Sequence, residues 1–318
     1  MIPYFIHEST VRIFQSIIDH LSGYHDWDQK DHADKWMLFE KNIGEKLSID
    51  ETALTNGELY TIITNKAGKG GHGSLVAIVE DIKTGPIIDV LAKIPVEQRL
   101  AVKEVTLDMS NAMDAIIRAS FQNASIVTDR FHVQQLMSEA LQEVRGALRR
   151  AAIKEEADAI MKARQEKNIY QPKLFENGDS KKQLLARSFH LLFKTGNKWT
   201  EKQKQRANIL FREFPAIDDA YKLSMMFRGW YERNTDKEQA RQDLQNWYAK
   251  VEEKKIASFI VAARSIKAHE DTILNYFKSR STNASAESFN AKLKGFRALV
   301  RGVKDITFFL FRVGRLYG

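Results

Sequence analysis

One change of hydrophobic period, near Phe131, constrains the fold of this chain more than any other feature. Before it, short apolar runs are separated by turn-rich segments, a pattern typical of β-strands. After it, apolar residues recur three and four positions apart through most of the remaining chain, which predicts helices. The sequence therefore predicts a mixed α/β part followed by an all-helical part.

Five strands and two helices are expected before the change of period. The strands are predicted at 46–50, 59–64, 75–79, 103–107 and 125–128, and the helices at 87–94 and 110–120. Turn-rich segments join the first three strands, so these strands are expected to pair antiparallel. Helices precede the fourth and fifth strands, which is typical of parallel crossover connections. The predicted sheet is therefore mixed, antiparallel at one side and parallel at the other.

Two further segments of this first part have a simple structural interpretation. Residues 9–21 are predicted to form a short amphipathic helix that packs rather than binds. Residues 66–74 are rich in glycine but lack the Gly-Lys-Ser/Thr sequence of a phosphate-binding loop, and they lie between two predicted strands. They are interpreted as a hairpin connection.

Composition and charge narrow the possible functions. The 318 residues contain no cysteine, which excludes disulfides, thiol nucleophiles and cysteine-based zinc sites. No apolar run approaches the roughly 20 residues of a membrane helix, so a cytoplasmic protein without a membrane partner is expected. The net charge is +8, with the basic excess after residue 135. Such a distribution is compatible with nucleic acid phosphates as partners, or with an ordinary solvated surface.

Two aspartates follow predicted strands that can be neighbours. Asp50 ends the first predicted strand and Asp108 follows the fourth. If these strands lie side by side, both carboxylates converge at the sheet edge where α/β proteins bind ligands. Carboxylates there can hold two Mg²⁺ ions, which suits in-line displacement at phosphorus. Alternatively, Asp108 only caps the helix predicted to begin near Ser110.

A third acidic residue lies in a predicted helix near the end of the chain. This helix is expected to begin at Asn283 or Ser285 and to end at Gly302, with Glu287 in its first turn. Its buried stripe is predicted to be Phe289, Leu293, Phe296 and Val300. A second face of this helix is predicted to be functional and to carry Glu287, Asn290 and Lys294. Alternatively, Glu287 only interacts with the helix dipole.

Four short motifs follow one another along the chain. They are Ile49-Asp-Glu51, Val102-Lys-Glu-Val-Thr-Leu-Asp-Met-Ser110, Asn123-Ala-Ser-Ile-Val-Thr-Asp-Arg-Phe-His132 and Ala286-Glu-Ser-Phe-Asn-Ala-Lys292. In this order they resemble the insertion-sequence DDE transposases of bacteria, and the resemblance covers about residues 46–317. The helical stretch between the third and fourth motifs is similar to the insertion of the Mutator-like and hAT-type branch of that superfamily.

The resemblance implies an α/β fold with a ribonuclease-H-like mixed sheet. Three antiparallel strands are followed by two parallel strands with crossover helices, and a large all-α insertion interrupts the fold. The implied divisions are an N-terminal helical segment at 1–45, the first part of the catalytic domain at 46–134, the insertion at 135–280, and the second part of the catalytic domain, with the glutamate helix, at 281–318.

The resemblance also implies the site. Asp50, Asp108 and Glu287 correspond by position to the catalytic carboxylates that bind two Mg²⁺ or Mn²⁺ ions. Asp129 and His132 match an auxiliary signature of the family, and Asp129 competes with Asp108 for the role of second metal ligand. His132 is expected to orient DNA or the site, or else to form a hydrogen bond in the core.

Activity and partners follow from the same resemblance. The chain is expected to cleave double-stranded DNA at element ends and to join the 3′ hydroxyl to a target, as a homo-oligomer at the nucleoid. The residues expected to contact DNA are Arg130, Asn290, Lys292, Lys294, Arg297 and Arg301. Because the family's cysteine zinc motif is lacking, a separately encoded N-terminal DNA-binding protein is an expected partner. The alternatives are a ribonuclease-H-like nuclease that does not join strands, and a catalytically inactive DNA-binding protein derived from a transposase.

Overall fold

The computed structural model describes residues 23–54, 59–300 and 305–318 of the chain. The helix predicted at 9–21 lies outside these residues. The chain divides into two compact units. The first unit combines the residues up to Asp129 with Ser281–Gly318, and the second unit is Arg130–Arg280.

A six-stranded mixed sheet forms the centre of the first unit. Its strands are β1 (Trp36–Leu38), β2 (Lys46–Ala53), β3 (Leu59–Asn65), β4 (Leu75–Val79), β5 (Glu104–Leu107) and β6 (Ser125–Thr128). The spatial order is β1-β4-β3-β2-β5-β6. The pairs β1–β4, β4–β3 and β3–β2 are antiparallel, whereas β2–β5 and β5–β6 are parallel. The prediction of a mixed sheet is confirmed.

Two predictions about the sheet are wrong. The segment 1–45 was expected to be helical, but Trp36–Leu38 pairs with β4 as a sixth strand. In addition, β2 does not end at Asp50. It continues to Ala53, because the antiparallel pairing with β3 continues through Asp50 and Glu51 to the end of the strand. Asp50 therefore lies within a strand rather than at its end.

Three helices lie between the later strands of the first unit. They are α1 (Thr84–Leu91), α2 (Val96–Leu100) and α3 (Asn111–Ser120). Short 3-10 turns are formed by Glu40–Asn42 and Lys66–Gly68. The cap of α3 is Ser110, whose side chain accepts a hydrogen bond from the Met113 N–H at 3.4 Å. The alternative that Asp108 caps this helix is therefore wrong.

The second unit is helical throughout its described elements. Its helices are α4 (Arg130–Gln165), α5 (Lys181–Arg187), α6 (Glu201–Glu213), α7 (Pro215–Arg233), α8 (Lys237–Lys254), α9 (Ala257–Ala268), α10 (Glu270–Leu274) and α11 (Tyr276–Ser279), with 3-10 turns at Leu191–Phe193 and Gly196–Lys198. Aromatic side chains form much of its core. Phe227, Trp230 and Trp247 are buried, and the two indole N–H groups donate to the carbonyls of Ala240 at 2.7 Å and Leu223 at 3.0 Å.

One buried carboxylate also lies inside the second unit. Asp179 is fully buried and accepts hydrogen bonds from Arg187 and, at 3.0 Å, from Arg206. Burial alone raises the pKa of an aspartate, but these two hydrogen bonds and charges hold the pKa of Asp179 below its usual value. Its charge is therefore compensated within the unit.

Two helices near the end of the chain return to the first unit. They are α12 (Ala284–Leu299) and α13 (Ile306–Tyr317). The first of them was predicted to end at Gly302. This prediction is wrong, because its last helical residue is Leu299. Val300 follows as its cap, and Gly302 is outside the described residues.

Two apolar clusters occupy the two faces of the sheet. Leu47 and Ile49 of β2 belong to the cluster that includes residues of α1 and α3. The other cluster joins Ile62 of β3 with Phe289 and Leu293 of α12, and with residues of α13. Because strand residues alternate between faces, the even-numbered residues of β2 point to the side of α12.

Candidate active site

The register of β2, β5 and β6 places three aspartates in one row. Thr106 of β5 pairs with Ser48 of β2 and with Val127 of β6. The residues two positions further along these three segments are Asp50, Asp108 and Asp129. The ladder continues past the named strands, because the Asp129 N–H donates to the Leu107 carbonyl at 2.8 Å. Residues two apart share a face, so this aspartate row lies on one side of the sheet.

Helix α12 covers the side of the sheet on which the aspartate row lies. Ile62 is the cross-strand neighbour of Asp50, and it packs with Phe289 and Leu293 of α12. The buried stripe predicted for this helix is confirmed for Phe289 and Leu293, while Phe296 and Val300 are half-buried against the same cluster. Glu287 lies in the first turn of α12 and is exposed.

The carboxylate of Asp50 is held by two hydrogen bonds. Its Oδ1 accepts from the Glu51 N–H at 2.9 Å, and its Oδ2 accepts from Asn290 Nδ2 at 2.6 Å. Asn290 is one turn beyond Glu287 on α12 and is only 6% exposed. Two donors fix the orientation of a carboxylate, as is usual for partners of functional acids. Asn290, which was predicted to contact DNA, contacts Asp50 within the described chain.

Asp129 connects the end of β6 to the start of α12. It is 2% exposed, and its Oδ1 accepts from the Asn283 N–H at 2.9 Å. Asn283 is the cap of α12, and its carbonyl accepts from the Glu287 N–H at 3.0 Å. One carboxylate oxygen of Asp129 and one of Glu287 lie within 4.8 Å of each other. A single divalent cation can contact two oxygens at such a separation.

The side chain of Asn283 is a polar group that sequence reasoning did not place in the site. It was predicted as a possible helix cap, but its side chain makes no capping hydrogen bond. It is fully buried, and neither polar atom of its amide has a hydrogen-bond partner in the part of the chain that the structure describes. The only feature of the sequence that pointed to Asn283 was its position at the polar start of a predicted helix.

The donor atoms in this region suit a hard divalent cation. Asp50, Asp108, Asp129 and Glu287 offer carboxylate oxygens. Asn290 Oδ1 is a further oxygen, buried and without a hydrogen-bond partner among the described residues. Oxygen donors without cysteine fit Mg²⁺ or Mn²⁺ better than softer metals. The residues present therefore fit the divalent cation that the resemblance implies.

Negative charges also influence each other beside Asp50. Burial, and then the negative charge of Asp108, raises the pKa of Glu51 above its usual value. Glu51 follows Asp50 on β2, so the negative charge of Asp108 acts on a residue beside Asp50. Mutual repulsion among carboxylates is what a bound cation relieves.

A buried lysine lies on the same side of the sheet. Lys66 follows β3, and its side chain is only 14% exposed. Its ammonium donates to the hydroxyls of Thr106 and Ser281, and it is 4.0 Å from the carboxylate of Glu104. Burial lowers the pKa of Lys66 to about 8, although the negative charges of Glu104 and Asp129 partly oppose this lowering, and the charge of Lys46 adds to it. The sequence predicted only a hairpin connection here, because the partner Ser281 is 215 positions away.

The remaining predicted residues have different surroundings. Lys292 donates to the Gly70 carbonyl at 2.8 Å, and the guanidinium of Arg297 is 4.9 Å from the centre of the Phe309 ring. Lys294 is exposed. Arg301 is outside the described residues.

Arg130 and His132 are in the first turn of α4 and belong to the second unit. There the guanidinium of Arg130 is 5.1 Å from the centre of the Tyr231 ring and donates to the Tyr276 hydroxyl at 3.4 Å. Arg130 therefore has aromatic partners within its own unit. His132 forms an edge-on contact with the neighbouring Phe131 ring, at 5.7 Å between ring centres.

Comparisons with known proteins give one match. Residues 47–313 match a family model described as a transposase, that of the ISL3-type DDE transposases. None of the curated proteins and none of the solved structures compared with the chain matches it. No helix among the described residues is long and apolar enough to cross a membrane. The ISL3 family differs from the Mutator-like and hAT-type branch, so that narrower assignment is not confirmed. Because the match covers most of the chain, this protein belongs to the ISL3 family of transposases.

Proposed function

We propose that this transposase cleaves DNA at the ends of an insertion element and transfers the strand by two-metal-ion chemistry in a ribonuclease-H-like first unit. The observation that carries the proposal is the aspartate row of Asp50, Asp108 and Asp129 beneath the helix that bears Glu287. The family match supports DNA as the substrate. The sheet supports the fold assignment, because the antiparallel strands β2, β3 and β4, with β1 added at the edge, are continued by the parallel strands β5 and β6 with helical crossovers.

Asp50, Asp108 and Glu287 are the proposed metal ligands. Asp50 is held by Asn290 and by a backbone N–H, so its carboxylate is pre-oriented without a metal. Asp129 has one oxygen bonded to the Asn283 N–H at the start of α12. This bond favours Asp129 as the residue that docks the glutamate helix, and Asp108 as the second ligand.

When bound, a pair of divalent cations would activate the attacking hydroxyl and stabilise the leaving oxygen of an in-line displacement. The protein itself holds the carboxylates in the relative positions that this reaction requires. Asp50 and Asp108 extend from neighbouring strands of one rigid sheet, and Glu287 approaches from the helix that packs on that sheet. Sites supported by sheets and helices hold their geometry better than sites on loops.

The proposal includes partners. Joining two element ends requires two sites, so we propose a homo-oligomer acting on double-stranded DNA at the nucleoid. Exposed Lys294, together with Arg297 and Arg301, is proposed to contact DNA phosphates. A separately encoded protein is proposed to assist recognition of the element ends.

The test is cleavage and joining of linear DNA that carries the ends flanking the gene, in Mg²⁺, with and without the protein encoded upstream. We expect cleaved and joined products from the wild type and none from Asp50→Asn or Glu287→Gln. Asp114→Asn is the matched control, since Asp114 pairs with Arg118 on the surface of α3. Products from both site variants at the wild-type level would contradict the proposal.

Two further comparisons refine the result. Asp108→Asn is expected to abolish the products, whereas Asp129→Asn is expected to reduce them by loosening the start of α12. Substrates with pre-cleaved 3′ ends separate a transposase from a nuclease that does not join strands. A protein that binds DNA tightly but neither cleaves nor binds Mn²⁺ would be the inactive DNA-binding alternative.

A further inference from the structure

The residues that come before Ser281 in sequence belong to the second unit. The position of helix α12 on the sheet therefore depends on contacts within the first unit. The chain leaves the first unit at Asp129 and returns to it at Ser281, after the whole second unit. The place of Glu287 relative to the aspartate row therefore depends on non-covalent contacts. Two of the polar contacts lie beyond the start of the helix, from Asn290 to Asp50 and from Lys292 to the Gly70 carbonyl.

We propose that Lys66 is a positioning residue, whose buried ammonium hydrogen-bonds both Ser281 and Thr106 of β5 and thereby sets where Glu287 lies relative to Asp108. We call these two hydrogen bonds the tie. The expected effect of Lys66 on catalysis rests on the proposed function, whereas its role in positioning Ser281 does not. Ser281 lies three residues before Ala284, the first residue of α12, and Thr106 of β5 is two residues before Asp108.

Three polar groups meet at this point. The Lys66 ammonium donates to the hydroxyls of Thr106 and Ser281, and these two hydroxyl oxygens are 3.4 Å apart. The bond from the Asn283 N–H to Asp129 lies two residues further along. The segment 281–283 is therefore attached to β5 through Lys66 and to the end of β6 through Asp129. Two attachments on neighbouring strands fix both the position and the direction of the helix start.

A simple buried ion pair with Glu104 is the competing interpretation of Lys66. Both Lys66 and Lys46 are 4.0 Å from the same Glu104 oxygen, which is beyond hydrogen-bond distance. That oxygen has no hydrogen-bond partner among the described residues. The hydrogen bonds of the ammonium thus go to the two hydroxyls rather than to the carboxylate. This geometry favours the tie to Ser281 over the ion pair as the role of Lys66.

The test removes the tie without leaving a buried charge behind. Lys66→Met alone leaves Glu104 with less compensation and risks poor folding. The double variant Lys66→Met/Glu104→Gln removes both charges, and Ser281→Ala removes the hydroxyl partner. Lys69→Met is the matched control, because Lys69 lies in the same loop and is exposed.

The first measurement is amide hydrogen exchange over residues 283–290, without metal. We expect the double variant and Ser281→Ala each to exchange about tenfold faster there than the wild type, since both lose a charged hydrogen bond. Adding Ser281→Ala to the double variant should then cause no further change. Lys69→Met should match the wild type. Unchanged exchange over 283–290 in the double variant would overturn the proposal, whatever the activity of the protein.

The second measurement is Mn²⁺ binding by calorimetry at fixed pH. The double variant should bind Mn²⁺ about tenfold more weakly, as supporting partners of metal ligands commonly do, with an unchanged thermal midpoint. A role in stability alone predicts the reverse, a lower midpoint with unchanged Mn²⁺ affinity. If the wild type binds no Mn²⁺, or Asp50→Asn binds as well as the wild type, the proposed function fails. The exchange experiment still decides the role of Lys66 in that case.

Discussion

Among the described residues, buried polar atoms that lack a hydrogen-bond partner are concentrated in the first unit, although the Ser279 hydroxyl of the second unit lacks one as well. In the second unit, the indole N–H groups of Trp230 and Trp247 donate to carbonyls, and buried Asp179 is bonded to two arginines. In the first unit, buried polar atoms on the side of α12 lack hydrogen-bond partners within the described chain. They belong to Ser48, Thr64, Glu104, Asn283 and Asn290.

We interpret this difference as one between a unit with a mainly structural core and a unit that carries the proposed site. A buried polar atom without a partner costs about 1–3 kcal/mol. Several of these atoms surround the aspartate row, where water, metal or substrate can supply the missing partners. The contrast predicts that polar substitutions in the first unit mainly change activity, whereas those in the second unit mainly change stability.

Glu287→Gln should produce the largest effect. It is expected to lower cleavage by more than about a hundredfold, since even supporting partners of metal ligands contribute ten- to a hundredfold. Its thermal midpoint should stay at the wild-type value or rise, because one negative charge near Asp129 is removed. The measurement is cleavage in Mg²⁺ together with calorimetric unfolding, with Ser288→Ala on the exposed face of α12 as control. A lower thermal midpoint with full activity would contradict the predicted difference between the two units.

Asp179→Asn should reverse that pattern. It is expected to lower the free energy of unfolding by about 1–3 kcal/mol, because Arg187 and Arg206 lose their charged partner. Since the pKa of Asp179 is held below its usual value, the stabilisation is present above about pH 4 and is lost as the pH falls further. Urea unfolding of the wild type and the variant at pH 7 and pH 3 measures this. A variant as stable as the wild type at pH 7 would contradict the prediction.

Asn290→Ala tests a single support within the site. Without the amide, Asp50 Oδ2 loses its 2.6 Å hydrogen bond. Cleavage should fall about tenfold while the Mg²⁺ concentration for half-maximal rate rises, as expected for a residue that orients a metal ligand. The matched comparison is again Ser288→Ala. A variant with wild-type Mg²⁺ dependence would show that Asn290 does not act through Asp50.

The smallest expected effect concerns the buried lysine of the first unit. Because burial lowers the pKa of Lys66 to about 8 from 10.5, the unfolded chain binds more protons between these values. The wild type should therefore gain about 1 kcal/mol of stability relative to Lys66→Met between pH 8 and pH 9. Urea unfolding at the two pH values measures the difference. A stability difference independent of pH would indicate that the ammonium is well solvated.

The sequence predicted the parts of the fold that depend on local patterns. The strands at 75–79 and 125–128 match β4 and β6, because uninterrupted apolar runs have clear ends. The end of β2 was missed, since Asp50 and Glu51 read as a turn until pairing with β3 is known. The sixth strand was missed because Trp36–Leu38 is short and follows a charged segment.

The candidate site divides in the same way. Asp50, Asp108 and Glu287 were proposed from predicted strand ends and motif order, which are local features. Lys66 and the contact of Asn290 with Asp50 were missed, since each contact joins residues more than 200 positions apart. Such pairs follow from strand register and helix docking, which no short window of sequence contains.

The discontinuity of the first unit has a consequence for synthesis. A ribosome makes the six strands first, then the whole second unit, and only then α12 and α13. Until these last helices emerge, the sheet face with Tyr60 and Ile62 lacks its cover, and Asp129 lacks the Asn283 N–H. Domains generally fold as units during translation, so the nascent chain carries an unfinished sheet while its helical middle folds. The proposed site is therefore complete only once α12 has been made, and a chain that stops before Ser281 carries the aspartates but not Glu287.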